Sequence, residues 1–278
     1  MFSQQSPKSI LGKMSAVSLV PESAVFFVLK TYFDKSNDEQ KPTMTLACVA
    51  GTDSMWKEID GGWVEILGRH DPPAAYWHTF EAVHFQGIYA REKGWDETKV
   101  AGLMNTLFSY LQVVGTREKY AQFTCTLDMN AYRKLHDEGY QMEAPPELLA
   151  NACLDRIIQW YLFEYKGIDL ESQLFFDTGE PFEPIIHAKW EQEIEDSKRT
   201  GIFGKWSHIK YVGTAPHWIT PGIQVADLAA WANSRESNEF VDSYKHLALA
   251  MRSLLPSHWA KVDERQLRRR YRPLIYRP

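Results

Sequence analysis

The chain has 278 residues, 44% of them hydrophobic and 24% charged, with a net charge of −5. That composition supplies one sizeable core and excludes a disordered, fibrous or collagen-like chain. The three cysteines, Cys48, Cys125 and Cys153, are odd in number and show no CxxC or Cys/His spacing. This argues against a structural zinc site and for buried free thiols in a reducing, cytoplasmic setting.

Residues 1–23 are polar with scattered Ser and Lys, lack a secretory apolar core, and read as a loose leader. The apolar run at 24–29 is far too short to span a membrane, so no membrane partner is expected. Residues 24–33 are aromatic and β-branched, as in a buried strand, and end at Asp34 before the polar turn that starts with Lys35 and Ser36. A second strand follows at 43–51, close enough for a hairpin. Residues 54–69 change to helical spacing, with Trp56, Ile59, Trp63, Ile66 and Leu67 on one stripe, and 71–118 continues mainly helical with a break at Pro72-Pro73.

Residues 123–129 alternate, with Phe123, Cys125, Leu127 and Met129 on one face and Thr124, Thr126 and Asp128 on the other, predicting a third strand with one covered face. Pro145-Pro146 opens a helix to about 165. A short strand at 172–176 runs into Asp177, followed by a helix at 183–198, a fifth strand at 206–212, an Ala-rich helix at Pro221–Asn233 and a helix at 239–255. No linker divides the chain. The domain is expected over 24–255, with a helical insertion at about 54–118 and a basic tail at 256–278 that carries Arg268, Arg269 and Arg270. Apart from the insertion, the order β-β-β-α-β-α-β-α is that of an α/β, ribonuclease H-like mixed sheet. A doubly wound parallel fold would not begin with a hairpin.

Asp34 and Asp177 each follow an apolar strand, a place where carboxylates converge on one sheet edge and where an ordinary turn residue also sits. Asp227 interrupts a helix otherwise built for close packing, Val225-Ala226-Asp227-Leu228-Ala229-Ala230-Trp231, and a carboxylate there calls for a cation. Three converging carboxylates raise one another's proton affinity unless a metal neutralises them. Hard oxygen donors suit one or two Mg2+ or Mn2+ ions, and two such ions hydrolyse phosphodiesters.

These residues carry a resemblance. Tyr32-Phe33-Asp34-Lys35-Ser36-Asn37, Trp77-His78-Thr79-Phe80-Glu81, Leu174-Phe175-Phe176-Asp177 and Gln224-Val225-Ala226-Asp227-Leu228 occur in the order of motifs of the domain of unknown function 3800 family. The likeness covers about 25–235 and places the chain beside the ribonuclease H-like superfamily. It implies that fold and a metal site of Asp34, Asp177 and Asp227, with Glu81 as fourth ligand or close support and His78 beside it. Asp155, on the helix after the third strand, is the rival fourth ligand. His78, Glu81 and His84 also recur at three-residue spacing, which without an HExxH pattern is weak evidence for zinc. The sequence departs from the family pattern at Lys35 and Asn37, where Glu and Gly are usual, and at Gly213-Thr214, where an Asp-Ser pair is common.

The function expected is a metal-dependent nuclease or related phosphodiesterase, with Asp34, Asp177, Asp227 and Glu81 as catalytic metal ligands. Nucleic acid (DNA, RNA or hybrid) is the expected partner, with Arg268, Arg269 and Arg270 contacting phosphates. A catalytically degenerate binding or scaffolding protein on the same fold, and a hydrolase of a non-nucleic phosphoester, stay open as alternatives.

Overall fold

The computed structural model describes residues 27–36, 42–165, 170–180, 182–201, 208–234, 242–254 and 257–271. The expected leader and the turn at 37–41 lie outside them. The early apolar runs pair as a hairpin, β1 (Phe27–Ser36) with β2 (Thr43–Thr52), and β3 (Tyr120–Asp128) adds antiparallel to β2. On the other side of β1, β4 (Leu170–Asp177) and then β5 (Ile209–Ala215) join in parallel. The result is an α/β fold around a six-stranded mixed sheet, order β5-β4-β1-β2-β3-β6, in which β2 alone runs against the rest.

Nine helices are present among the described residues, and they cover both faces. One face packs against α1 (Asp53–Arg69), α3 (Glu97–Gly115), α7 (Pro221–Asn233) and α8 (Asp242–Leu254), with Trp56, Trp63, Leu103 and Leu228 in its core. The short α2 (Thr79–His84) docks on the same side. The other face carries α4 (Met129–Asp137), α5 (Pro145–Glu164), α6 (Phe182–Thr200) and α9 (Glu264–Arg270) around Phe33, Phe123 and Phe176. Both faces being covered explains why β2 and β3 are buried almost throughout.

Several expectations change. The third strand has two covered faces, and its threonines are used: Thr45 and Thr126 stand opposite each other and share a buried hydrogen bond of 3.0 Å. The strand also ends one residue early, because the Asp128 carboxylate accepts from the amides of Asn130 and Ala131 and starts α4 at Met129. The described part of the segment taken as a tail forms β6 (Ser257–Val262), paired in parallel with β3, and α9. The α9 start has a capping box between Asp263 and Gln266, and Leu267 is fully buried. The cysteines, distant in sequence, meet in one core; all three are free and buried, and burial raises the thiol pKa of Cys48 and Cys153. Among the described residues no helix is long and apolar enough to cross a membrane.

Candidate functional site

Side-chain pairing between β1 and β4 sets Asp34, two residues before the end of β1, level with Asp177, the last residue of β4. Tyr32 stacks on Phe175 at 5.0 Å on one face, and Phe33 stacks on Phe176 at 4.6 Å on the other. With Phe33 opposite Phe176 in a parallel register, Asp34 and Asp177 are the next residue on each strand. Alternation puts both on the side of Tyr32 and Phe175, the face that α7 covers. A Cβ at Gly222 would strike the Tyr32 ring, so glycine lets α7 lie directly on β1. Every other residue of α7 from Pro221 to Ala232 is buried, and Asp227 alone keeps some exposure.

Asp177 and Asp227 both act electrostatically on Asp34. Asp34 is half-buried, and its pKa is raised well above the carboxylate range, first by burial and then by Asp227, Glu180 and Asp177. Asp227 is also raised, by burial, against the opposing pull of His78, Thr79 and His217. Its Oδ2 accepts the Thr79 amide at 2.6 Å, which ties α7 to the start of α2. Asp177 accepts three times: from the Thr178 amide at 2.8 Å, from the His217 amide at 3.0 Å, and from His217 Nδ1 at 3.1 Å. That contact raises the His217 pKa.

Lys35 forms an ion pair with Glu180 at 3.1 Å, giving the unexpected lysine a local partner just past β4. Glu81 belongs to the other half of the site. Its Oε2 accepts from Tyr76 at 3.0 Å, its Oε1 lies 3.5 Å from His78 Nδ1, and it acts electrostatically on His217. Asp227, Asp177 and Glu180 are the charges that act most on Asp34, and Glu81 is not one of them. Glu81 thus faces the histidines: the rings of His78 and His217 stack at 4.9 Å.

Two other candidates fall away from this edge. Asp155 is on α5, beneath the opposite face and electrostatically close to Cys125, so it is no rival ligand. His84 is exposed and its Nδ1 is engaged with the Phe80 carbonyl at 2.9 Å. The arginines expected to reach phosphate lie on α9, next to β6, three strands from β1. Arg268 pairs with Glu138 at 2.7 Å and with Glu264, and Arg270 pairs with Glu143 at 3.1 Å, while Arg269 is exposed. Two of the three guanidiniums are engaged in holding α9 to α4 and to the segment that precedes α5.

Gln224 and His217 were not singled out as site residues. Gln224 is 2% exposed, and its Oε1 accepts from Trp63 Nε1 at 2.7 Å and from the Trp77 amide at 2.8 Å. Its Nε2 donates to the His217 carbonyl at 2.6 Å. One amide thereby joins α1, the approach to α2 and the turn carrying His217, one residue short of a helical turn from Asp227. A polar residue three before Asp227 in an otherwise apolar helix was the available signal.

The donor chemistry fits a divalent cation: half-buried carboxylates with raised proton affinity beside a half-buried imidazole whose Nδ1, that of His78, is shut from solvent and lacks a hydrogen-bond partner. Among the described residues, no three His, Cys, Asp or Glu side chains close on one point tightly enough to hold an ion as they stand. Asp227 and Asp177 are instead bonded to protein donors, the Thr79 amide and His217. No protein-family model matches the chain, and no curated protein matches it.

Proposed function

We propose that the protein is a metal-dependent phosphodiester hydrolase, acting on nucleic acid, built on a ribonuclease H-like framework within the domain of unknown function 3800 family. One observation carries the proposal: Asp34 near the end of β1 and Asp177 at the end of the adjacent parallel strand β4 lie beneath a helix that presents Asp227, and Asp227 and Asp177, with burial and Glu180, raise the proton affinity of Asp34. The strand order β5-β4-β1-β2-β3 with β2 reversed supports the framework.

Asp34, Asp177 and Asp227 would hold the ion, with Glu81 completing the set from the lobe side. The ion, when bound, activates water and stabilises the leaving oxygen. The chain's own groups do the rest. Thr79 and His217 fix the rotamers of Asp227 and Asp177. His217 pairs through Nδ1 with Asp177, and Lys35 balances Glu180 at the rim. The inserted lobe α1–α3 supplies Glu81 and His78 and walls the edge on one side.

The test is cleavage of labelled single-stranded DNA, single-stranded RNA, RNA–DNA hybrid and a chromogenic phosphodiester, with Mg2+ or Mn2+ and with chelator. Cleavage that needs metal and is lost in Asp34→Asn and Asp227→Asn supports the proposal. Cleavage of the chromogenic ester alone points to a non-nucleic substrate. A second reading, a degenerate binding protein, is favoured by the bonds that already engage Asp177 and Asp227 and by Lys35. Nucleic-acid binding with no metal response would select it.

A further inference from the structure

His78 occupies the N-cap position of α2 without a side-chain capping bond, and stands between the two halves of the site. Its ring stacks on His217 at 4.9 Å, and it lowers the proton affinity of Asp227. Its Nδ1 is inaccessible and has no hydrogen-bond partner. Glu81 Oε1 is 3.5 Å from that nitrogen, beyond the usual range of about 2.7–3.2 Å for a hydrogen bond. The two atoms are within ion-pair reach on a half-buried imidazole, but an inaccessible nitrogen without a hydrogen bond is unfavourable unless something bridges it to the carboxylate.

Two donors of one ion, each about 2.0–2.2 Å from it, stand about 3.3–3.6 Å apart at a tetrahedral angle and about 2.8–3.1 Å apart at a right angle. The separation of 3.5 Å falls on the tetrahedral side. The carboxylate is also held as a ligand would be. Tyr76 donates to Oε2 at 3.0 Å, and Tyr89 in turn donates to the Tyr76 carbonyl. At Gly87, whose φ of +58° favours glycine, a Cβ would run into the Glu81 carboxylate, so a side chain there would push the carboxylate aside. Oε1 is left facing His78. Such outer hydrogen bonds orient the donors of metal sites.

We propose that His78 Nδ1 and Glu81 Oε1 are ligands of the site's ion, and that the site therefore takes a first-row transition ion in preference to Mg2+. Imidazole suits zinc and its neighbours, whereas Mg2+ keeps to oxygen and demands near-octahedral geometry. This rests on the metal-site reading above and adds to it a nitrogen donor and a metal preference.

Zinc binds almost any such site more tightly than Mg2+, so bare selectivity decides nothing. The informative quantity is what His78→Ala does to each metal. Titrating the full chain with Zn2+, Mn2+ and Mg2+ by calorimetry, the variant should lose at least tenfold in affinity for Zn2+ and Mn2+, roughly the least that ligand-sphere changes cost. Mg2+ affinity should stay about the same. Spin-echo EPR of bound Mn2+ on protein with 15N-labelled histidine gives a second readout that needs no variant to establish it. A directly coordinated 15N should appear in the wild type, vanish in His78→Ala, and persist in His217→Ala. Equal losses for all three metals, unchanged affinities, or a nitrogen signal that survives in His78→Ala would overturn the assignment while leaving the metal site standing. If none of the ions binds the wild type, the metal-site reading itself fails, and this inference with it.

Discussion

Replacing Gln224 tests whether one buried amide holds the lobe to the acidic edge. Gln224→Ala leaves Trp63 Nε1 and the Trp77 amide without an acceptor in a region closed to water. It also removes the donor to the less buried His217 carbonyl. Each buried group left unpaired costs about 1–3 kcal/mol, so the two donors alone give about 2–6 kcal/mol. At the lower end, with roughly 2–4 °C per kcal/mol for a domain approaching this size, thermal unfolding should shift by about 4–8 °C. Circular dichroism melts and urea unfolding measure it directly. Gln224→Glu sharpens the test. Ionised, it still accepts from both N–H groups but opposes the His217 carbonyl; protonated, it regains the donor. Its deficit relative to wild type should therefore shrink as pH falls. A Gln224→Ala loss below about 1 kcal/mol, or a Gln224→Glu deficit that does not change with pH, would refute the keystone role.

Asp34→Asn removes one charge from a buried like-charged group and should raise the metal-free melting temperature while abolishing stabilisation by Mn2+; a lowered metal-free melting temperature would contradict this. Gly222→Ala drives a methyl into the Tyr32 ring and should cost about 1–3 kcal/mol in urea unfolding. Burial and the nearby Arg156 lower the His258 pKa below 6.5, so the unfolded chain binds more protons than the folded one just below that value. Wild-type stability should then fall on acidification from pH 6.5, and more steeply than in His258→Phe; parallel profiles would count against it. Arg268→Ala should speed hydrogen exchange in α9, reflecting the lost pairs with Glu138 and Glu264, with exchange in α7 unchanged.

The parts of the molecule that sequence made legible are those where one local pattern decides the outcome. Apolar runs gave β1 and β2, and the Ala-rich stretch gave α7 with its observed ends. Asp34, Asp177 and Asp227 were visible because each carboxylate interrupts or terminates an apolar element. β6 was hidden because its six residues, SHWAKV, are short and adjoin a charge-rich segment, and because its pairing partner β3 lies far away in sequence. α4 was hidden because Met129 extends the alternation of β3, and the Asp128 cap that breaks it looks like one more outward strand residue. The roles of Gln224 and His217 depend on partners 161 and 40 residues away, which no local pattern encodes. Arg268 and Arg270 misled for the converse reason: a run of basic charge is plain in sequence, but the acids that engage it come from α4, its C-terminal flank and α9 itself.

The central claim is that the Asp34, Asp177 and Asp227 carboxylates hold a divalent ion. A crystal grown or soaked with Mn2+, with anomalous scattering recorded at the manganese edge, tests it without any substrate. The predicted result is an anomalous peak bonded to oxygens of Asp34 and of at least one of Asp177 and Asp227, at roughly the 2.0–2.2 Å expected for such ligands. An ordered site with these three carboxylates close together and no peak between them, with Thr79 and His217 still bonded to Asp227 and Asp177, would contradict it.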